Sequence, residues 1–157
     1  MPWEEIFRTA NTYALICWLI LVVAPGREKV LTLLFYFGSG LLALSYAGLI
    51  IPLMAGWIDP GAIAGDRGAP ANFTTLPGVM ALFDTRGGAT IGWIHYLAFD
   101  LFVGIWIARD ADRRGINRIL QAPVLLLVFL FGPMGLLLYI ILRQIVGQKS
   151  ESAAVPH

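Results

Sequence analysis

Charged side chains are missing from three long stretches of the chain, Thr9 to Gly26, Val30 to Ile58 and Ile119 to Leu142. Each is close to or above the roughly 18 apolar residues that mark a membrane-spanning helix. A fourth apolar stretch, Gly92 to Ala108, is interrupted only by Asp100. The pattern predicts an all-α integral membrane protein, a four-helix bundle with spans near 3–24, 30–51, 92–108 and 119–142. These make a single transmembrane domain over 1–147, followed by a polar, disordered tail over 148–157.

Local signals support each boundary. Pro2 suits a first helical turn, Glu4 and Glu5 meet the positive end of the helix dipole, and Trp3, Ile6 and Phe7 read as an interfacial anchor. The acidic start is unlike a cleavable signal peptide or a transit peptide, so the mature chain is expected to begin at Met1. Pro25-Gly26 ends the first span, and Pro52 follows the second, in which Ser39, Ala43 and Ala47 form a small-residue stripe. That stripe serves either an internal helix contact or a homo-oligomer. From Ala55 to Thr90 the 36 residues hold seven Gly and three Pro, a long Gly/Pro-rich loop between helices 2 and 3. A loop of this length is uncommon unless it forms a lid or a binding loop, the plainer reading being a flexible connector, and Thr75 is placed to cap a short interfacial helix from Pro77 to Phe83. A kink is expected at Gly132-Pro133. The short first and third loops carry six Lys and Arg against five elsewhere, which favours cytoplasmic loops and both termini outside.

Composition agrees. Of 157 residues 58% are apolar and 13% charged, about half the charged fraction of a soluble domain. A net charge of +1 gives no basic stripe for nucleic acid. The single cysteine, Cys17, excludes an intramolecular disulfide and any Cys-rich metal site.

Asp100 is therefore the most informative residue. Eight residues from either end of the 92–108 stretch, it stands near the bilayer midplane, where an ionised carboxylate costs about 2.5 kcal/mol or more. It must face a polar cavity, be paired, or be protonated. Helical spacing puts Trp93 and Tyr96 on its face, while His95 is turned away by roughly 140° and shares a stripe with Phe99, Phe102, Trp106 and Arg109. The plainer reading gives Asp100 a structural hydrogen bond to Tyr46, Asn11 or a helix terminus, and makes the aromatic stripe core or lipid-facing. Asp110 and Asp112 have the spacing of cation ligands, but Arg109, Arg113 and Arg114 neutralise them, so no metal is expected. With only His95 and His157 present, haem is not expected either.

The chain carries Asn11 and Trp18 in the first span, Val23-Ala24-Pro25, Leu76-Pro77-Gly78 to Phe83, Trp93-Ile94-His95-x-Leu97-Ala98-x-Asp100-Leu101-Phe102, and Phe131-Gly132-Pro133-x-Gly135. Together these strings resemble a known family, the abscisic-acid-deficient-four-like membrane proteins. The resemblance covers most of the chain and implies four membrane helices, a carotenoid or other long isoprenoid as partner, and a role in neoxanthin synthesis. In that isomerisation a 5,6-epoxide opens to an alcohol while a polyene proton is lost and an allene forms. It requires an acid and a base and no cofactor. By position the resemblance makes Asp100 and His95 the catalytic pair, with Trp93, Tyr96, Phe99, Phe102, Trp106, Tyr139 and Asn11 as substrate-binding residues. The lack of a transit extension looks like a bacterial member in the cytoplasmic membrane. A non-catalytic carotenoid-binding or assembly protein and a small proton or ion pathway are the competing readings.

Overall fold

In a medium without water every backbone N–H and C=O must be satisfied within the chain, and a sequence this apolar meets that demand with helices. The computed structural model describes residues 1–23, 27–61 and 71–152, with side chains for all of these except 27 and 146–152. The described residues form α1 (Trp3–Val23), α2 (Arg27–Leu33), a π-helical segment (Leu34–Ser39), α3 (Gly40–Met54), α4 (Leu76–Phe83), α5 (Arg86–Arg113), α6 (Arg118–Phe131) and α7 (Pro133–Ser152). The expected turn at Pro25-Gly26, the middle of the long loop and His157 lie outside the described residues. Of the expected tail, the backbone of 148–152 is the end of α7.

Three helices are long and apolar enough to cross a membrane, namely Trp3–Val23, the joined stretch Glu28–Met54, and Arg86–Arg113, which makes this a membrane protein. The fourth expected span is not one helix. The 119–142 stretch is divided at Gly132 into α6, of 14 residues, and α7, whose apolar part is Pro133–Ile145. At about 1.5 Å per residue each covers roughly 20 Å, short of a 30 Å bilayer core. Among the described residues, three helices are thus long and apolar enough to span, and the stretch expected as the fourth span is formed by the shorter α6 and α7. The third span is longer than expected at both ends. Its start was obscured by Gly87-Gly88, but Thr85 Oγ1 accepts from Gly88 N at 3.0 Å and begins the helix ahead of them. Its end runs on through the charge cluster, where Asp110 and Arg114 pair one turn apart at 2.8 Å.

The chain divides into two compact units, Met1–Leu15 with Gly40–Ala98, and Ile16–Ser39 with the described part of Phe99–His157. In the first, Trp3 is buried and its indole N–H donates to the Asp59 carbonyl at 3.1 Å. Gly61 O and Pro60 O accept from the N–H groups of Arg86 and Gly87, so the first part of the loop is fastened to the first turn of α5 beside Trp3. Thr75 caps α4 as expected, accepting from Gly78 N at 3.2 Å. Along α3, Ala43 is exposed and Gly48 has open space around it, so this part of the small-residue stripe makes no close contact within the unit.

In the second unit Gly104 lets the Trp18 ring lie on α5, and the same ring meets Phe129 edge-on at 5.4 Å. Gly38, at the end of the π-helical segment, lies against Leu101 and the buried Cys17.

These contacts yield a paired prediction. A methyl at Gly104 would stand 2.6 Å from Trp18, so Gly104→Ala should destabilise the protein by about 1–3 kcal/mol. Gly48→Ala meets nothing and removes a helix-interior glycine, so it should be neutral or stabilising by about 0.5–1 kcal/mol. Thermal unfolding in detergent should separate the two in opposite directions.

Candidate functional site

The first unit contains a cleft bounded by α3, α4 and α5, with a volume of about 250 Å³. Ile50, Leu53 and Met54 of α3, Leu82 and Phe83 of α4, Phe73, and Ile91 of α5 make its apolar walls, with Gly88 and Gly92 in the floor. Phe83 is seated on the α5 backbone at Gly92, where any side chain would collide with its ring. The only polar side chains in this lining are those of Tyr46 and His95, whose rings lie tilted with centroids 5.3 Å apart. A larger depression of about 650 Å³ shares Leu53, Met54 and Leu82 with the cleft and continues to Trp57, Asp59 and Thr85.

This is a site that α4 helps to build. The helix forms because Thr75 and Pro77 start it and Asp84 ends it, and its Leu82 and Phe83 then face the cleft. Asn72 fixes the approach, its Oδ1 accepting from the N–H groups and hydroxyls of both Thr74 and Thr75 at 3.0–3.1 Å. The short interfacial helix expected in the long loop is thus present and lines a cavity.

The residues singled out in the sequence fall into separate groups. Asn11, Trp93 and Tyr96 belong together in the first unit. Asn11 Oδ1 accepts from the Trp93 indole at 2.7 Å, Trp93 stacks on Tyr96 with centroids 5.1 Å apart, and Phe7 lies against Trp93. In the second unit Phe99, Phe102 and Trp106 are all substantially exposed, which suits contact with lipid. Phe102 also meets Phe35, and Trp106 meets Tyr139 edge-on with the Arg143 guanidinium over its ring. Tyr139 is buried and its hydroxyl donates to Asp110 Oδ2 at 2.6 Å, an oxygen that also receives Arg114 and Arg143. Its hydroxyl is therefore held at the charged end of α5.

Asp100 is buried in the second unit, 14 residues after Arg86 and 13 before Arg113, at the middle of α5. Its carboxylate lies directly against Gly132. His95 lies in the first unit, on the cleft. Sequence reasoning did not place Tyr46, Phe73 or Phe83 at a site with His95. The available signal was a phenol in a charge-free span, since Tyr46 lies within the stretch from Val30 to Ile58. Among the described residues no group of three His, Cys, Asp or Glu side chains is placed to hold a metal ion.

No curated protein and no solved structure matches the chain. A family described as ABA DEFICIENT 4-like matches it over residues 5–139, which takes in α1, the cleft, all of α5 and the break at Gly132. The chain belongs to this family, which is associated with neoxanthin synthesis, and so to the proteins of carotenoid metabolism.

Proposed function

We propose that the protein acts on the end group of a carotenoid by acid–base isomerisation of the epoxide-to-allene type, in the cleft bounded by α3, α4 and α5. The observation that carries this reading is the pairing of Tyr46 and His95 in an otherwise apolar lining. Sites for whole drug-sized ligands run from about 300 Å³ upward, so about 250 Å³ suits one ring at the end of a polyene. The polyene then extends from the cleft among apolar side chains and acyl chains.

The chemistry balances without a cofactor. A polyene carbon gives up its proton, the C–H electron pair becomes the second double bond of the allene, the epoxide C–O bond breaks, and the oxygen takes a proton. His95 has a ring nitrogen that can accept the first proton, and the Tyr46 hydroxyl can donate the second. Because the rings are neighbours, the proton held by His95 can return to Tyr46 and close the cycle. Asp100, the other proton carrier expected from the sequence, belongs to the second unit and does not line this cleft.

Two measurements test the reading. His95→Gln should still fold and copurify with carotenoid while turnover of an epoxy-carotenoid falls by about 10²–10⁴-fold, and Tyr46→Phe should fall by a comparable factor. Turnover unchanged in both would overturn the assignment, whereas a wild-type protein that holds carotenoid and converts none of it would make this a binding protein. Gly92→Ala places a methyl where the Phe83 ring lies and so displaces one wall of the cleft. It should reduce the carotenoid retained through purification, read from the visible absorption spectrum, and full retention would place the ligand elsewhere.

A further inference from the structure

The end of the chain contains an arrangement that neither the sequence pattern nor the family match describes. Val128 in α6 and Gly135 in α7 are seven residues apart, which in a continuous helix means a separation of roughly 10 Å along the axis. Here Gly135 lies on the backbone of Val128, so closely that a Cβ at Gly135 would overlap it. The chain has reversed direction at Gly132-Pro133, and α7 returns alongside α6.

Contacts with α5 fix where the reversal occurs. Gln121, in the first turn of α6, donates to Asp112 Oδ1 at 3.0 Å and to Ile116 O at 2.8 Å. Tyr139 and Arg143 of α7 come to Asp110 at 2.6 and 3.6 Å. Both arms therefore have their outer ends at the charged end of α5. The turn between them lies against Asp100, ten residues deeper along the same helix, or roughly 15 Å. The outward sides of both arms are apolar and exposed, as at Leu126, Leu130, Leu137 and Ile141, which is what acyl chains require.

The turn explains the depth of Asp100. Gly132 O accepts from Leu136 N at 3.1 Å, the first bond of α7, so Gly132 occupies the capping position and Pro133 the first helical one. A glycine supplies no capping side chain. The Asp100 carboxylate fills the space that a Gly132 side chain would take, at the helix end where free N–H groups and the dipole favour an anion.

We propose that α6 and α7 form a re-entrant hairpin that enters the membrane from the side of the α5–α6 turn and leaves on the same side, with Asp100 capping α7 at its tip. The chain then crosses three times rather than four. Asp100 is a positioning residue for this hairpin. The proposal does not depend on which ligand the cleft takes.

The test uses single cysteines in a Cys17→Ala chain, labelled in oriented vesicles with a membrane-impermeant thiol reagent. Arg113→Cys reports the α5–α6 turn, Lys149→Cys or Ser150→Cys the end of α7, and Met134→Cys the tip. The hairpin requires the first two to react from the same face and the tip to react from neither. Reaction of Lys149→Cys and Ser150→Cys from the face opposite Arg113→Cys, or of Met134→Cys from that face, overturns it. The cap is tested separately. Asparagine caps a helix about as well as aspartate, so Asp100→Asn should melt close to the wild-type temperature while Asp100→Leu melts lower and exposes Met134→Cys to reagent. Asp100→Asn with normal melting and a 10²-fold or greater loss of turnover would instead make the carboxyl a proton carrier, and equal melting of Asn and Leu variants would remove the cap.

Discussion

A carboxylate at the centre of a 28-residue apolar helix sets the condition that the second unit has to meet. Asp100 can be buried there only if its carboxyl is protonated or its charge is complemented, and no basic side chain occurs between Val30 and Ile58 or between Ile119 and Leu142 to complement it. Backbone is the remaining source of positive potential. A helix broken at mid-depth exposes one, because its first N–H groups have no partner within the helix. The carboxylate lies against Gly132, at the point where the helix is broken. Gly132 and Gly135 suit that arrangement, the first leaving room for the carboxylate and the second letting α7 pass α6 at backbone contact.

The first unit is organised by different means. Two of its polar contacts, Trp3 on the Asp59 carbonyl and Asn11 on Trp93, join distant parts of the chain, and a third, Asn72 on the turn before α4, is local. Trp3 and the carbonyls of Pro60 and Gly61 hold the first part of the loop against α5, and the cleft is apolar except for Tyr46 and His95. A site of this kind suits a ligand that is hydrocarbon over most of its length and reactive at one end. It agrees with membership of a family tied to carotenoid metabolism.

The spans were legible wherever absence of charge and helix length coincide, as in α1 and in Glu28–Met54. The ends of α5 were not, because Gly87-Gly88 has the composition of a loop, and only the packing of Trp3 and Pro60 on Gly87 shows why glycine stands inside a helix. The reversal at Gly132 was not legible either. A charge-free stretch from Ile119 to Leu142 is long enough for one span, and a Gly-Pro pair reads equally as a kink. What decides between them is a seven-residue contact, which no local pattern encodes. His95 stood out as a polar residue in an apolar run, but its neighbour Tyr46 is 49 positions earlier, and proximity of that kind belongs to the fold.

The turn before α4 bears on the cleft. Four donors converge on one oxygen of Asn72, the Asn72 amide packs on Gly78, and Asn72 N–H donates to Gly78 O at 3.3 Å. Such a knot keeps the first turn of α4 from fraying. Leu82 and Phe83 stand at the other end of this helix and line the cleft. The walls that Leu82 and Phe83 give the cleft thus rest on a helix whose first turn is tied to a single Asn72 oxygen.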